Sequence, residues 1–517
     1  MSKIAVIDLF AGPGGLSEGF SSLKSPSGDY IFENIGSFEK DPHAHKTLTL
    51  RHYFHQLIRH QIPLDSYVHY VTRTDKEGLP YTNSAEEELW KEAKEKAHLH
   101  VLGEDQNADN KARKGLKKIL KNYEHSVLIG GPPCQAYSLA GRARNKGKKC
   151  YVPEEDHRHF LYKEYLKFLG ELSPSLCVME NVEGILSSKV HGEYIFESIL
   201  KDLTQPFKAL GKKSGSSYVI CSLVTDTSFS KDDDYETINP RDYLVRSEQY
   251  GIPQTRHRVI LLGIREDIYQ GMHPKLSRKR EVTVEQAILD LPPVRSGMTQ
   301  QVNDNNEWAY IIKELCEDLK YATFSSNIRR KTLNDLKRKI KPLSQHIKDG
   351  AEFTNCKNSI ATKELLSWYK NNDIGVVLNH SSKGHMTSDL ERYLYLSASA
   401  YEKGITPKPS EWPSHLEPEH KNWDSGKFHD RFKVQVWGKP SGTITSHISK
   451  DGHHYIHPDP SQCRSFTARE AARIQTFPDN YFFEGPRTQQ LHQIGNAVPA
   501  LLANKIAKIC STTLNLV

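Results

Sequence analysis

The sequence predicts an α/β protein: a doubly wound, mostly parallel sheet with a second, smaller domain. Three observations carry this. Through residues 1–265, short apolar runs of strand length alternate with helix-spaced segments. From residue 266 the alternation stops and a long mixed region follows. Junctions rich in Gly and Pro stand at strand exits, where sheets of this type bind their ligands.

The strands expected are Ile4–Phe10, Tyr30–Glu39, Val127–Gly130, Leu176–Glu180, Tyr218–Val224 and Val259–Ile264. A helix is expected from Leu161, since Tyr165, Phe168 and Leu172 follow at helical spacing. Residues 51–125 interrupt the alternation. Glu86 to Lys121 is densely charged with mixed signs and is expected to form surface helices inserted after the second strand. Pro292 and Pro293 punctuate the region 266–465, the expected second domain. Its basic run, Arg329–Arg330–Lys331, Lys337–Arg338–Lys339 and Lys341, suits either phosphate contact or a solvated helix face. Residues 466–517 are expected to return to the first domain. There Thr467 and Glu470 have the spacing of a capping box, and Leu502, Ile506 and Ile509 share one face of a last helix.

A chain of 517 residues is too long for one ordinary domain. Hydrophobic residues at 37% and charged residues at 26% exclude a disordered chain. No window approaches the roughly 18 apolar residues that span a bilayer. The chain runs straight into its first strand with no basic leader and cleavage site, so a cytoplasmic location is expected. The net charge of +7, 70 Lys and Arg against 63 Asp and Glu, points only weakly to a polyanion. The eight cysteines, at 134, 150, 177, 221, 316, 356, 463 and 510, contain no Cys-x-x-Cys pair. Zinc ribbons and a disulfide framework are therefore excluded, and most are expected to be buried thiols. His453, His454 and His457 form a cluster in an expected Gly-rich hairpin, read as binding no metal.

Five places carry chemistry. The first strand enters Phe10-Ala-Gly12-Pro13-Gly14-Gly15, a tight turn that lets a ligand approach the backbone. Its glycine spacing is shorter than that of a dinucleotide-binding turn. Glu39 closes the second strand, where a ribose hydroxyl pair would be held. The third expected strand enters Gly131-Pro-Pro133-Cys134, in which two prolines stiffen the backbone before a thiol at a sheet mouth. The next ends in Glu180-Asn181-Val182, a carboxyl facing the same cleft and able to give a proton to a ring nitrogen. Arg256 and Arg258 alternate to one face before a buried strand, placed to grip an oxygen or phosphate.

Together these segments resemble the ordered motifs of the cytosine-5 DNA methyltransferases, prokaryotic restriction or defence type. The resemblance rests on Asp8-Leu-Phe-Ala-Gly-Pro-Gly-Gly15, Gly131-Pro-Pro-Cys134-Gln, Glu180-Asn181-Val182, Gln254-x-Arg256-x-Arg258, Arg469-Glu-Ala-Ala-Arg473 and Gly495-Asn496-Ala-Val-Pro499. It covers roughly residues 1–265 and 440–517. It implies a class I methyltransferase fold, with residues 266–465 as a target-recognition domain. It implies transfer of a methyl group from S-adenosylmethionine to carbon 5 of a flipped-out cytosine in duplex DNA, with no metal. Cys134 resembles the nucleophile, Glu180 the acid at ring nitrogen 3, and Arg258 a residue at the base, with Arg256 beside it in the same catalytic motif. Phe10, Gly12, Pro13, Gly14, Gly15, Glu39, Pro133, Leu161, Asn496 and Val498 match positions near the methyl donor. The acid that usually touches the cofactor adenine is not visible. Ser138–Lys149 could close over the base as a mobile loop. The partners implied are double-stranded DNA and a cognate restriction endonuclease or defence proteins, around a monomeric enzyme associated with the nucleoid when bound. The competing readings are methylation of RNA, a non-catalytic DNA-binding regulator, and dinucleotide redox chemistry.

Overall fold

Alternate residues of the first strand serve two different cores, which places that strand in the middle of a sheet covered on both faces. In the computed structural model Ile4 and Val6 pack with Leu16, Phe20, Leu502 and Ile506 on one face, while Ala5 and Ile7 pack with Tyr165, Phe168 and Leu169 on the other. The structure describes residues 3–73, 78–133, 161–190, 192–299, 303–322, 328–341, 360–370, 374–419, 423, 431–450 and 452–515.

The central sheet contains β1 (Ile4–Leu9), β2 (Phe32–Glu39), β3 (Ala97–Leu99), β4 (Ser126–Gly130), β5 (Leu176–Val182), β6 (Tyr218–Ser222), β7 (Ser228–Phe229), β8 (Leu244–Arg246) and β9 (His257–Arg265). Their order is β3-β2-β1-β4-β5-β9-β6-β7, with β8 beside β9. The first five in that order pair in parallel, and β9 is antiparallel to both β5 and β6. All six expected strands are present, each lengthened or trimmed by one or two residues at its ends. The reversal of β9 sets Arg258 opposite Val182, and Ile260 opposite Glu180.

Ahead of the charged segment, the helix Pro42–Arg59 buries Leu48, Tyr53, Phe54 and Leu57. Asp41 caps it, accepting from the His43 and Ala44 amides, with Pro42 preorganised in the first turn. Arg51 and His55 reach from it to the buried Glu18 at 2.6 and 2.8 Å. The charged segment does form helices, Ser84–Lys96 and Gln106–Ile119, but β3 lies between them. Three residues are too few for alternation to register in a sequence.

The helices Asn305–Ala322, Arg330–Lys339 and Thr387–Lys403 surround a separate core that contains Trp308, Leu333, Leu390, Tyr393 and Trp412. The basic run lies on Arg330–Lys339, which buries Leu333 and Leu336 and leaves its cations outward. Lys337 is paired with Glu317 and Arg338 with Asp335. A fourth core joins Val284, Ile444, Phe466, Tyr481 and Ile494. Leu276, Val282, Leu365 and Tyr369 pack instead with the sheet.

Thr467 and Glu470 form the capping box, and Leu502, Ile506 and Ile509 are buried along the helix Ala500–Thr513. Cys177, Cys221, Cys316, Cys463 and Cys510 are free and buried. The His453–His457 segment is a short 3-10 turn, His453–Tyr455, rather than a hairpin. His453 bonds the Tyr393 hydroxyl at 2.7 Å and His457 lies 3.4 Å from Glu470. Among the described residues no group of three or more His, Cys, Asp or Glu is placed to hold a metal ion. No helix among them is long and apolar enough to cross a membrane.

Candidate active site

The chain leaves β1 through Phe10, with φ at 57°, and turns at Gly12 and Gly14, at 57° and 99°. These are left-handed conformations that glycine adopts at little cost. A Cβ on Gly15 would stand 2.4 Å from the Val498 carbonyl oxygen, and one on Gly14 2.9 Å from Leu48. The turn is therefore wedged between the helix Pro42–Arg59 and residues near the C-terminus. Gly12 is different: nothing lies within 4 Å of its missing Cβ, so the space above it is open. The Tyr481 hydroxyl donates to the Pro13 carbonyl and fixes the far side.

Glu39 ties this turn to the end of β2. One carboxylate oxygen accepts the Gly12 amide and the other the Asp41 amide, both at 2.7 Å. Below, Asp8 is fully buried. Burial, partly offset by Ser17 and reinforced by the charge of Glu39, pushes the Asp8 carboxyl up to about 8.

On the other side of β1, β4 exits through Gly131, Pro132 and Pro133. A Cβ on Gly131 would stand 2.9 Å from a Glu180 oxygen, so glycine there makes room for that carboxylate. Asn181 donates to the Pro132 carbonyl at 3.4 Å and holds the two strand exits together. Glu180 pairs with Arg258 at 3.0 Å. Burial pulls the Arg258 guanidinium below its ordinary value, partly offset by Glu180.

The two arginines do not act together. Arg256 precedes the strand and donates to the carbonyls of Ile444, at 2.7 Å, and Gly495, at 3.4 Å. Burial pulls it down to about 9, with Arg258 adding to the effect. It grips oxygens, as expected, but those of its own chain. Gln254 works beside it, accepting from the Ile444 amide and donating to Ile474 and Gln475. Arg469 similarly spends its donors on the carbonyls of Leu378, Pro478 and Tyr481.

One cavity of about 590 Å³ gathers these groups. Phe10, Gly12, Pro13, Gly15 and Glu39 form one end; Pro133, Leu161, Glu180, Arg256 and Arg258 form another. Asn496 and Val498 close it from the C-terminal segment. Gly14 shapes the turn without lining the cavity. Cys134 and Ser138–Lys149 lie outside the described residues.

Two groups of lining residues had no sequence signal. His100, Val101 and Leu102 follow β3 at the end occupied by Glu39. Where an acid was sought, the strand is followed by His100, whose Nε2 lies 2.5 Å from the buried Asp109 carboxylate. Thr445, Ser446, His447, Lys450 and His492 also line the cavity, as a second wall. Only the tertiary fold brings them there.

A mixed sheet of this order, with β9 reversed beside β5 and a glycine turn after β1, is the fold of an α/β methyltransferase. The whole chain superposes on a crystal structure of a prophage-encoded E. coli protein described as a DNA modification methyltransferase, with a TM-score of 0.51 at 20% identity, covering 99% of this chain and 100% of that one. Residues 75–211 and 234–512 match the C-5 cytosine-specific DNA methylase family. The type II methyltransferase M.Bpa9945I of Bacillus paralicheniformis is 31% identical over 99% of both chains. The DNA (cytosine-5-)-methyltransferase M.ApeKI of Aeropyrum pernix is 25% identical over 77% of this chain and 83% of its own. The chain belongs to the C-5 cytosine-specific DNA methylase family, enzymes that methylate carbon 5 of cytosine in DNA.

Proposed function

We propose that S-adenosylmethionine is the methyl donor, that Cys134 is the nucleophile, and that the target is a cytosine turned out of duplex DNA. The observation that carries this reading is the shared cavity. It sets the Gly12–Gly15 turn and Glu39 at one end, and the Glu180–Arg258 pair and the Pro133 exit at the other.

The residues fit the donor. Open space above Gly12 admits a ligand against the backbone, and Glu39 is placed to meet ribose hydroxyls beside the amides it already holds. Bound there, S-adenosylmethionine supplies a methyl group activated by its sulfonium. Phe10, Asn496 and Val498 would enclose it and exclude water. At the other end, addition of the Cys134 thiolate to carbon 6 makes carbon 5 nucleophilic. Glu180, steered by Arg258, engages ring nitrogen 3 and balances the charge that develops on the ring. Loss of the carbon 5 proton then allows elimination and frees Cys134. A thiol attacking a ring face requires the base to leave the stack.

Residues 266–465 are proposed to read the target sequence. A partnership with a cognate restriction endonuclease is supported by the type II names of several relatives. We take the enzyme to act as a monomer in the cytoplasm.

The expected outcome is that Cys134→Ser abolishes methyl transfer while S-adenosylmethionine still binds. Glu180→Gln should cost about 10²- to 10⁴-fold in kcat. The wild type should form a covalent adduct with duplex DNA containing 5-fluorocytosine, because fluorine cannot leave as a proton does. Full activity of Cys134→Ser, or no adduct on the sequence identified by bisulfite sequencing, would remove Cys134 from this role.

A further inference from the structure

We propose that His447 and Lys450, with Arg431 behind His447, hold a backbone phosphate of the DNA strand that carries the target cytosine. The proposal rests on the reading of the cavity given above. It assigns a purpose to the wall that had no sequence signal.

The wall is rigid and is held by the catalytic side of the molecule. Ser446–Ser449 is a 3-10 turn anchored by the buried Ile448. The residue before it in the chain, Thr445, bonds the Tyr455 hydroxyl through its amide at 3.2 Å. Ile444 is clamped by Gln254 and Arg256. The helix Arg487–Asn496 approaches so closely that a Cβ on Gly495 would stand 2.2 Å from the Thr445 carbonyl carbon. The backbone that carries these cations is therefore held against the catalytic side of the molecule.

Among the described residues the charges that line the cavity are unbalanced. Its acids are engaged locally: Glu39 by two amides, Asp41 as a helix cap, Glu180 by Arg258. On the second wall His447, Lys450 and His492 form no ion pair with a carboxylate among the described residues. His447 and Lys450 are exposed at the mouth. Arg431 Nη1 lies 3.3 Å from His447 Nε2. A guanidinium only donates, so Nε2 accepts and Nδ1 carries the ring hydrogen for another partner. The Lys383 ammonium approaches the Lys450 carbonyl at 3.4 Å, adding a further cation to the rim.

Such a rim suits an anion with several acceptor oxygens. On this reading a nucleotide whose ring reaches Glu180 leaves its sugar and phosphate toward the other residues that line the same cavity, this turn among them. Lysine and histidine on a fixed backbone act as point donors, which suits a phosphate more than the edge of a base pair.

The test is binding of a fluorescent duplex carrying the methylated sequence, measured across a salt series. For Lys450→Ala we expect about a 5- to 10-fold rise in Kd and a salt slope smaller by roughly 0.9, the value of one phosphate contact. Lys450→Arg should restore both, and His447→Ala should weaken binding a few-fold. S-adenosylmethionine affinity should stay at the wild-type value in all three, which excludes misfolding as the cause. Unchanged Kd and slope in both alanine variants would overturn the proposal. So would a changed target sequence at unchanged slope, which would make these residues base readers. Duplex binding is read without turnover, so failure of the rim appears in the slope, whereas failure of the catalytic reading appears in the activity of Glu180→Gln.

Discussion

Asp8 is a carboxyl with no exposed surface, directly beneath the turn that opens the cavity. Its folded-state value of about 8 lies above the ordinary 3.8 because burial disfavours the charge. The sign follows. Where both states are protonated the group costs nothing, and stability falls as pH rises from about 4 to about 8, by up to roughly 1.4 kcal/mol per pH unit. Asp8→Asn should therefore raise the melting temperature of the ligand-free protein at pH about 8. The gain should shrink toward pH about 5, as followed by calorimetry. A gain independent of pH would mean that the carboxyl is already ionised. At this scale the sequence was informative about which residues meet and poor about what they touch. The spacing Arg256-x-Arg258 suggested a matched pair. Strand pairing begins only at His257, so Arg258 turns to Glu180 while Arg256 falls on the carbonyls of a distant segment.

The joint between the helix Arg487–Asn496 and the turn Ser446–Ser449 depends on a missing side chain. At Gly495 the nearest atoms are the backbone of Thr445 and Ser446, at 2.2 to 2.4 Å, which cannot step aside as a flexible side chain could. Gly495→Ala should cost about 1–3 kcal/mol or more in urea unfolding. It should also weaken S-adenosylmethionine binding, because Asn496 and Val498 follow on the same segment. Gly115 provides the opposite case. It lies exposed within the helix Gln106–Ile119 with nothing near its missing Cβ. Gly115→Ala should stabilise by about 0.5–1 kcal/mol through lost chain entropy and higher helix propensity. Equal effects of the two substitutions would show that close packing at residue 495 does not hold the wall. Elements with long patterns, such as the capped helix from Thr467 and the core strands, were legible. The three-residue β3 was not, and with it went the placement of His100–Leu102.

Acid should act on the whole molecule at once. His52, His380 and His385 lie buried in different parts of the fold, and burial holds each below its ordinary value of 6.5, His380 at about 4. His52 meets Ser37 against the sheet, and His380 bridges Thr467 and the Pro292 carbonyl. A lowered folded value means that stability is complete above about pH 6.5 and is lost as pH falls below it. Each histidine contributes up to about 1.4 kcal/mol per pH unit in that window. Unfolding free energies should therefore drop by several kcal/mol between pH about 6.5 and 5, with protons taken up on unfolding. A flat profile would place these imidazoles in contact with solvent.

The sequence by itself determined the α/β class, the central strands and the main members of the cavity. Each lies in a short local pattern, a strand exit or a glycine turn, whose geometry depends on near neighbours in the chain. It also determined the family resemblance, because the motifs keep their order whatever lies between them. Only the tertiary structure decided the partners across the chain. Arg258 rather than Arg256 pairs with Glu180 because β9 runs antiparallel beside β5. His447 and Lys450 face the cavity because Gly495, Gln254 and Arg256 draw a segment nearly two hundred residues beyond β9 back onto the sheet. Contacts of that separation depend on packing and have no periodicity of their own.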